Sequence, residues 1–120
     1  MRILNIGTRK HTEVRVMDEP ALGCGANHIY QVVSCPDKNT DILRCNVEFQ
    51  DGPVKEAGVN GIHNEDLIAI VIDRLRGFQS GDYACSDNVF ALVDLEESLF
   101  WLRNRTNERE SRGIEGTNVI

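Results

Sequence analysis

No stretch of this 120-residue chain approaches the length of an apolar membrane span, and the opening Met1-Arg2-Ile3-Leu4-Asn5-Ile6 lacks the apolar core and cleavage site of a secretory signal. These absences predict a cytoplasmic protein without a membrane partner. Lysine is scarce, three residues against ten arginines, and the formal net charge is −6. Attraction to a polyanion follows the summed field of the surface, so a nucleic-acid polymer is not expected as a partner. Cys24, Cys35, Cys45 and Cys85 show no C-x-x-C spacing, and the three histidines do not join them in metal-ligand order, which predicts free thiols and no bound metal. The glycines form neither a dinucleotide fingerprint nor a P-loop, and no cofactor is expected.

Catalytic groups are equally thin. His63 sits beside a helix start, Ser80, Ser86 and Ser98 have no nucleophile context, and Asp94, Glu96 and Glu97 lie along a helix where carboxylates are ordinarily solvated. No base, orienter and oxyanion site come together, so the chain reads as a non-enzyme.

What is present is a globular composition, 41% apolar and 27% charged, in a length suited to one domain or one domain with an arm. Strand-like segments come first: Thr12 to Met17 with alternating polarity, Ile29 to Val33, and Ile42 to Phe49, rich in β-branched residues. Pro20, Gly23-Cys24-Gly25 and Pro36-Asp37-Lys38-Asn39 punctuate them as turns. Helical periodicity follows. Asn64 is positioned to cap a helix with Glu65 and Asp66 in its first turn, an apolar face at Leu67, Val71, Leu75 and Phe78, and a stop at Gly81. Ser86 or Asp87 caps a second helix with Leu92, Leu95, Leu99 and Leu102 on one stripe. The prediction is an α+β fold: a small antiparallel sheet over residues 1–49, an ordered connector at 50–63, and an antiparallel helical hairpin with a tail at 64–120.

Val89, Val93, Phe100 and Trp101 lie off the leucine stripe, more apolar surface than one helix partner covers, which points to an oligomer interface or to a larger core. The ending, Gly113 to Thr117, is expected to extend and to dock on a neighbour or fray. Arg103, Arg105, Arg109 and Arg112 stand against only Glu108 and Glu110, a local excess of positive charge in an acidic chain. Arg105, Arg109 and Arg112 share a helical stripe able to grip phosphates two bonds at a time; they equally suit the negative end of a helix. At the hairpin turn, Phe78, Gln79, Tyr83 and Asn88 bracket a loop, an aromatic and amide set that fits a nucleobase but also fits core packing and helix capping.

The ordered series Phe49-Gln50-Asp51-Gly52-Pro53, Gly58-Val59-Asn60-Gly61, Asn64-Glu65, Arg74-Leu75, Phe78-Gln79-Ser80-Gly81, Asn88, Leu95-Glu96-Glu97, Trp101-Leu102-Arg103, Arg105-Thr106, Arg109 and Arg112 to Thr117 resembles the first type of phage Thoeris anti-defence protein. That family shares its helical hairpin with an anti-CBASS sponge, and the resemblance spans roughly residues 48 to 117. It implies a protein in the cytoplasm of the bacterial host that sequesters glycocyclic ADP-ribose, the signal of TIR enzymes, without cleaving it. It implies dimers assembled into hexamers, signal pockets between paired protomers, and separate sites for cyclic trinucleotides. By position, Phe78 and Asn88 match the signal pocket, with Gln79 and Tyr83 beside them, and Arg105, Thr106 and Arg109 match the second site. Where the family carries a basic and an acidic residue before the asparagine, this chain has Ser86 and Asp87, which implies a weaker hold on a pyrophosphate or a shifted isomer preference. The rival expectations are a hydrolase of the same nucleotides and an assembly protein with no ligand.

Overall fold

Alternation of side chains along Thr12-Glu13-Val14-Arg15-Val16 sends Thr12, Val14 and Val16 to one face of a sheet and Glu13 and Arg15 to the other. The computed structural model, which describes residues 1–7, 10–20, 23–37 and 39–119, builds four antiparallel strands in the order β1 (Arg2–Ile3), β2 (Thr12–Val16), β3 (Ile29–Asp37) and β4 (Thr40–Glu48). Lys38 of the expected turn at 36–39, and Ile120, lie outside the described residues. Three helices follow: α1 (Val54–Ala57), α2 (Asn64–Gln79) and α3 (Ser86–Ser111). The architecture is α+β. Strand β3 runs on from its expected end at Val33 to Asp37, β4 starts at Thr40, ahead of Ile42, and ends at Glu48, one residue short of Phe49, while β1 and α1 are too short for any periodicity to announce them.

The chain divides into two compact units, Met1–Asp51 with Val59–Ile62, and Gly52–Gly58 with His63–Ile120. In the first unit Val16 pairs with Tyr30, and Tyr30 with Val47, so these three share a face. Val16 is 0% exposed, Val47 8% and, on the opposite face, Val33 3%. The Tyr30 ring meets Phe49 edge to face at 5.6 Å. Phe49 in turn forms a parallel bridge with Ile62, closed by Gln50 N–H to the Ile62 carbonyl and Ile62 N–H to the Glu48 carbonyl, each 2.9 Å. Gly61 makes that approach feasible. A Cβ there would stand 2.6 Å from the Gln50 nitrogen and the Glu48 carbonyl oxygen, and closer still to the Phe49 carbonyl carbon.

Asp18 ties the start of β3. Its carboxylate accepts from the N–H groups of His28, at 3.0 Å, and Ile29, at 3.2 Å, while its carbonyl accepts from the buried Asn27 amide, which also accepts from Arg2. The His28 ring lies about 4 Å from both Asp18 and Asp51. Desolvation pushes the Asp18 carboxyl up, but hydrogen bonding, led by the N–H groups of His28 and Ile29 and joined by Asn27, together outweighs it and holds the group below the usual carboxylate range. A carboxylate depressed in the folded state contributes stability that is present above its unfolded pKa and lost as pH falls through the folded one. Asp18→Asn is therefore expected to lower the urea midpoint of the first unit at neutral pH, and the gap from the parent is expected to close as the pH is taken through and below the usual carboxylate range. A gap that stays constant with pH contradicts this role.

In the second unit the residue flanking α2 is His63, not Asn64, which is already helical; the His63 N–H donates to the Asp66 carboxylate at 2.9 Å. Likewise α3 starts at Ser86, with Cys85 in the flanking position expected of Ser86 or Asp87. The buried seam of α2 runs through Ile72, 4% exposed, whereas Val71 is 43% exposed. Neighbouring positions on a helix point about 100° apart, and packing against α3 selects the Ile68, Ile72 and Leu75 line. The two helices run antiparallel, as the pairs Gln79 with Asn88 and Arg76 with Glu96 require. Leu92, Leu95, Leu99 and Leu102 form the half-buried stripe of α3, while Val89, Phe90, Val93, Phe100 and Trp101 are exposed.

The segment after α3, expected to extend and to dock on a neighbour or fray, makes contacts within its own chain. It turns at Gly113, whose φ of 71° suits glycine, and docks on its own chain, with Lys55 N–H donating to the Gly116 carbonyl at 3.1 Å and Asn118 reaching Glu56 at 3.4 Å.

Candidate functional site

The turn between α2 and α3 spans only six residues, and the Gln79 side chain closes it from inside. Its Nε2 donates to the Cys85 carbonyl at 3.1 Å and its Oε1 accepts from the Cys85 N–H at 3.0 Å, the pattern of one rung in an antiparallel ladder. The same Oε1 accepts from Asn88 Nδ2 at 3.1 Å, and Asn88 Nδ2 also donates to the Tyr83 carbonyl at 3.3 Å. Both amide hydrogens of Asn88 are thus engaged. Its Oδ1 has no partner among the described residues and is free to accept from a ligand.

Above this turn Phe78 and Tyr83 meet edge to face at 6.1 Å, and the Arg74 guanidinium lies 4.9 Å from the Phe78 ring centre. The structure therefore brings together all four residues expected at the turn. It also adds Arg74, one helical turn before Phe78, a position whose spacing was visible in the sequence but which nothing there marked as facing the turn. An aromatic pair, a cation and an open amide acceptor offer stacking, charge and one directional bond.

The second set separates. Arg105 is exposed and has no partner among the described residues, and the Thr106 hydroxyl donates to the Leu102 carbonyl at 3.3 Å. Arg109 is 8% exposed and points into its own chain: Nε donates to Glu115 at 3.0 Å, Nη1 to the Val119 carbonyl at 2.7 Å, and Nη2 to the carbonyls of Ile114 and Thr117 at 3.2 and 3.1 Å. Arg112 sits 3.4 Å from Glu108, an exposed i,i+4 pair. Farther up the hairpin a groove of about 440 Å³ is lined by Ile72, Arg76, Glu96, Phe100, Arg103 and Asn107 among others, with Arg76 and Glu96 paired at 3.0 Å across it.

Arg15 bridges Asp41, at 3.0 Å, and Glu13, at 3.2 Å. The bond from Arg15 holds the Asp41 carboxyl below its ordinary range, and desolvation pushes the nearby Cys35 thiol up, away from the reactive thiolate. No group of three or more metal-ligating side chains occurs, and no helix is long and apolar enough to cross a membrane, among the described residues.

Residues 41–106, more than half of the chain, match the Acb2/Tad1 hairpin domain family. The chain belongs to that family. The Acb2/Tad1 match begins inside β4, covers the whole turn with Phe78, Gln79, Tyr83 and Asn88, and ends at Thr106, three residues short of Arg109. The chain is also 58% identical over 71 residues to a protein named Thoeris anti-defense 1 of Bacillus phage SBSphiJ7. That alignment takes in 59% of this chain and 50% of the phage protein, so the chain spans about half the length of that relative.

Proposed function

We propose that this chain acts as a phage anti-defence sponge, binding glycocyclic ADP-ribose in the cytoplasm of the bacterial host and holding it uncleaved. The observation that carries the reading is the turn itself: the Phe78 and Tyr83 rings, the Arg74 cation and the open Asn88 acceptor converge on one locked loop in a member of the Acb2/Tad1 hairpin family. The identity to a phage protein named for Thoeris anti-defence supports the biological setting. An adenine ring stacks on an aromatic face, the Asn88 oxygen suits an exocyclic amine or a ribose hydroxyl, and Arg74 supplies the positive charge that Ser86 and Asp87 do not.

The exposed Val89, Phe90, Val93, Phe100 and Trp101 on α3 support self-association, and a hexamer built from dimers is the form proposed. A second site, at Arg105, Thr106 and Arg109, is proposed for cyclic trinucleotides; a three-fold axis would set three guanidinium groups against three phosphates.

Incubation with glycocyclic ADP-ribose, filtration and heating of the retained protein tests the reading directly. Disappearance of the nucleotide on mixing and its intact recovery on heating is the expected result. Permanent conversion would make the protein a hydrolase, and an oligomer that retains nothing would be an assembly protein.

A further inference from the structure

An amide side chain can face a partner with either its oxygen or its nitrogen, whereas a backbone N–H only donates and a backbone carbonyl only accepts. At the hairpin turn the Cys85 backbone makes the choice. Its N–H requires the oxygen of Gln79 opposite it, at 3.0 Å, and its carbonyl requires the nitrogen, at 3.1 Å, so the Gln79 amide has one allowed orientation. Gln79 passes that orientation on. Its Oε1 also faces Asn88, at 3.1 Å, and must meet a donor there, which turns Nδ2 of Asn88 inward; the Tyr83 carbonyl, at 3.3 Å, calls for the same atom. Flipping the Asn88 amide would set oxygen against oxygen at both places, so the edge left outward is an acceptor. We propose that Gln79 is a positioning residue that makes the turn selective for a ligand donating an N–H or O–H to Asn88, and sets it against one presenting a carbonyl or phosphate oxygen there. The role rests on the signal site proposed above, and it acts through Asn88.

Two substitutions separate this polarity from mere closure of the turn. Gln79→Met removes the acceptor that holds Nδ2, leaving Asn88 only the longer Tyr83 bond and freeing either edge to face outward. Gln79→Glu keeps an oxygen for Cys85 N–H and Asn88 Nδ2 but sets its second oxygen against the Cys85 carbonyl, so the rung is weakened while Asn88 stays oriented.

The test is calorimetry of the full chain with glycocyclic ADP-ribose and two counterparts, one with the exocyclic amine of adenine replaced by a carbonyl and one without the free hydroxyl of the adenosine ribose. The parent is expected to disfavour at least one counterpart by about 5- to 150-fold, the cost of leaving the acceptor without a donor, and which one identifies the donor. In Gln79→Met that ratio is expected to fall toward one, and amide exchange at Cys85 to rise. Gln79→Glu is expected to weaken every ligand and to keep the ratio. A residue that only closed the turn would weaken all ligands alike in both variants. An unchanged ratio or unchanged Cys85 exchange in Gln79→Met, or a parent indifferent to both counterparts, overturns the role. A parent that retains no glycocyclic ADP-ribose, or whose affinity ignores Asn88→Ala, removes the signal site and this role with it, an outcome distinct from a site that binds, needs Asn88 and discriminates equally with and without Gln79.

Discussion

Phe78→Ala is expected to weaken glycocyclic ADP-ribose binding by about 5- to 150-fold, the range set by aromatic stacking on one base, about 1–3 kcal/mol. The half-buried ring contributes both a face for the ligand and packing for Tyr83 and Arg74. Phe78→Trp separates the two contributions, since it keeps an aromatic face, and it is expected to retain most of the affinity. Asn88→Ala is expected to act in the same direction, but it also removes the Nδ2 bonds to Gln79 and Tyr83 and so disturbs the turn itself. The check is calorimetry on variants whose melting temperature matches the parent; parental affinity in Phe78→Ala would displace the ligand from the turn.

The second large effect concerns stability. Gly61→Ala places a methyl group against the backbone of Glu48, Phe49 and Gln50, where no flexible side chain can yield. The Phe49 to Ile62 bridge and its two hydrogen bonds must open, at a cost of about 3 kcal/mol or more. Gly77→Ala is the contrasting substitution. A Cβ there meets nothing within 4 Å inside α2, so it is expected to stabilise by about 0.5–1 kcal/mol. Urea unfolding of both variants checks the pair, with exchange at residues 48–50 and 60–62 assigning the loss in Gly61→Ala. Equal midpoints in the two variants would mean that the bridge gives way freely.

Local patterns made much of this fold legible. Alternation in Thr12 to Val16 and the leucine spacing of α3 report burial one residue at a time, so strand and helix could be read before any packing was known. The details decided by tertiary partners were not. Val71 and Ile72 are equally apolar, and only α3 determines which one is buried. A two-residue β1 depends on β2 for its hydrogen bonds, and a one-turn α1 has no amphipathic period. The turn residues stood out because an aromatic, two amides and a tyrosine gathered within eleven positions, whereas Arg74 needed the helix geometry to bring it over Phe78. The spacing of Arg105, Arg109 and Arg112 places them on one helical stripe, open to phosphate or to the helix end. The inward turn of Arg109 depends on carbonyls five to ten residues downstream, which no helical periodicity encodes.

The Gln79 rung across the hairpin turn bears on speed. If the turn is the signal site proposed above, a loop already closed by its own side-chain amide would need no ordering step when a small molecule arrives, and capture would proceed at the rate of encounter and not at that of a folding step. A sponge of that kind would compete with a receptor for each newly made signal molecule with its binding loop built beforehand.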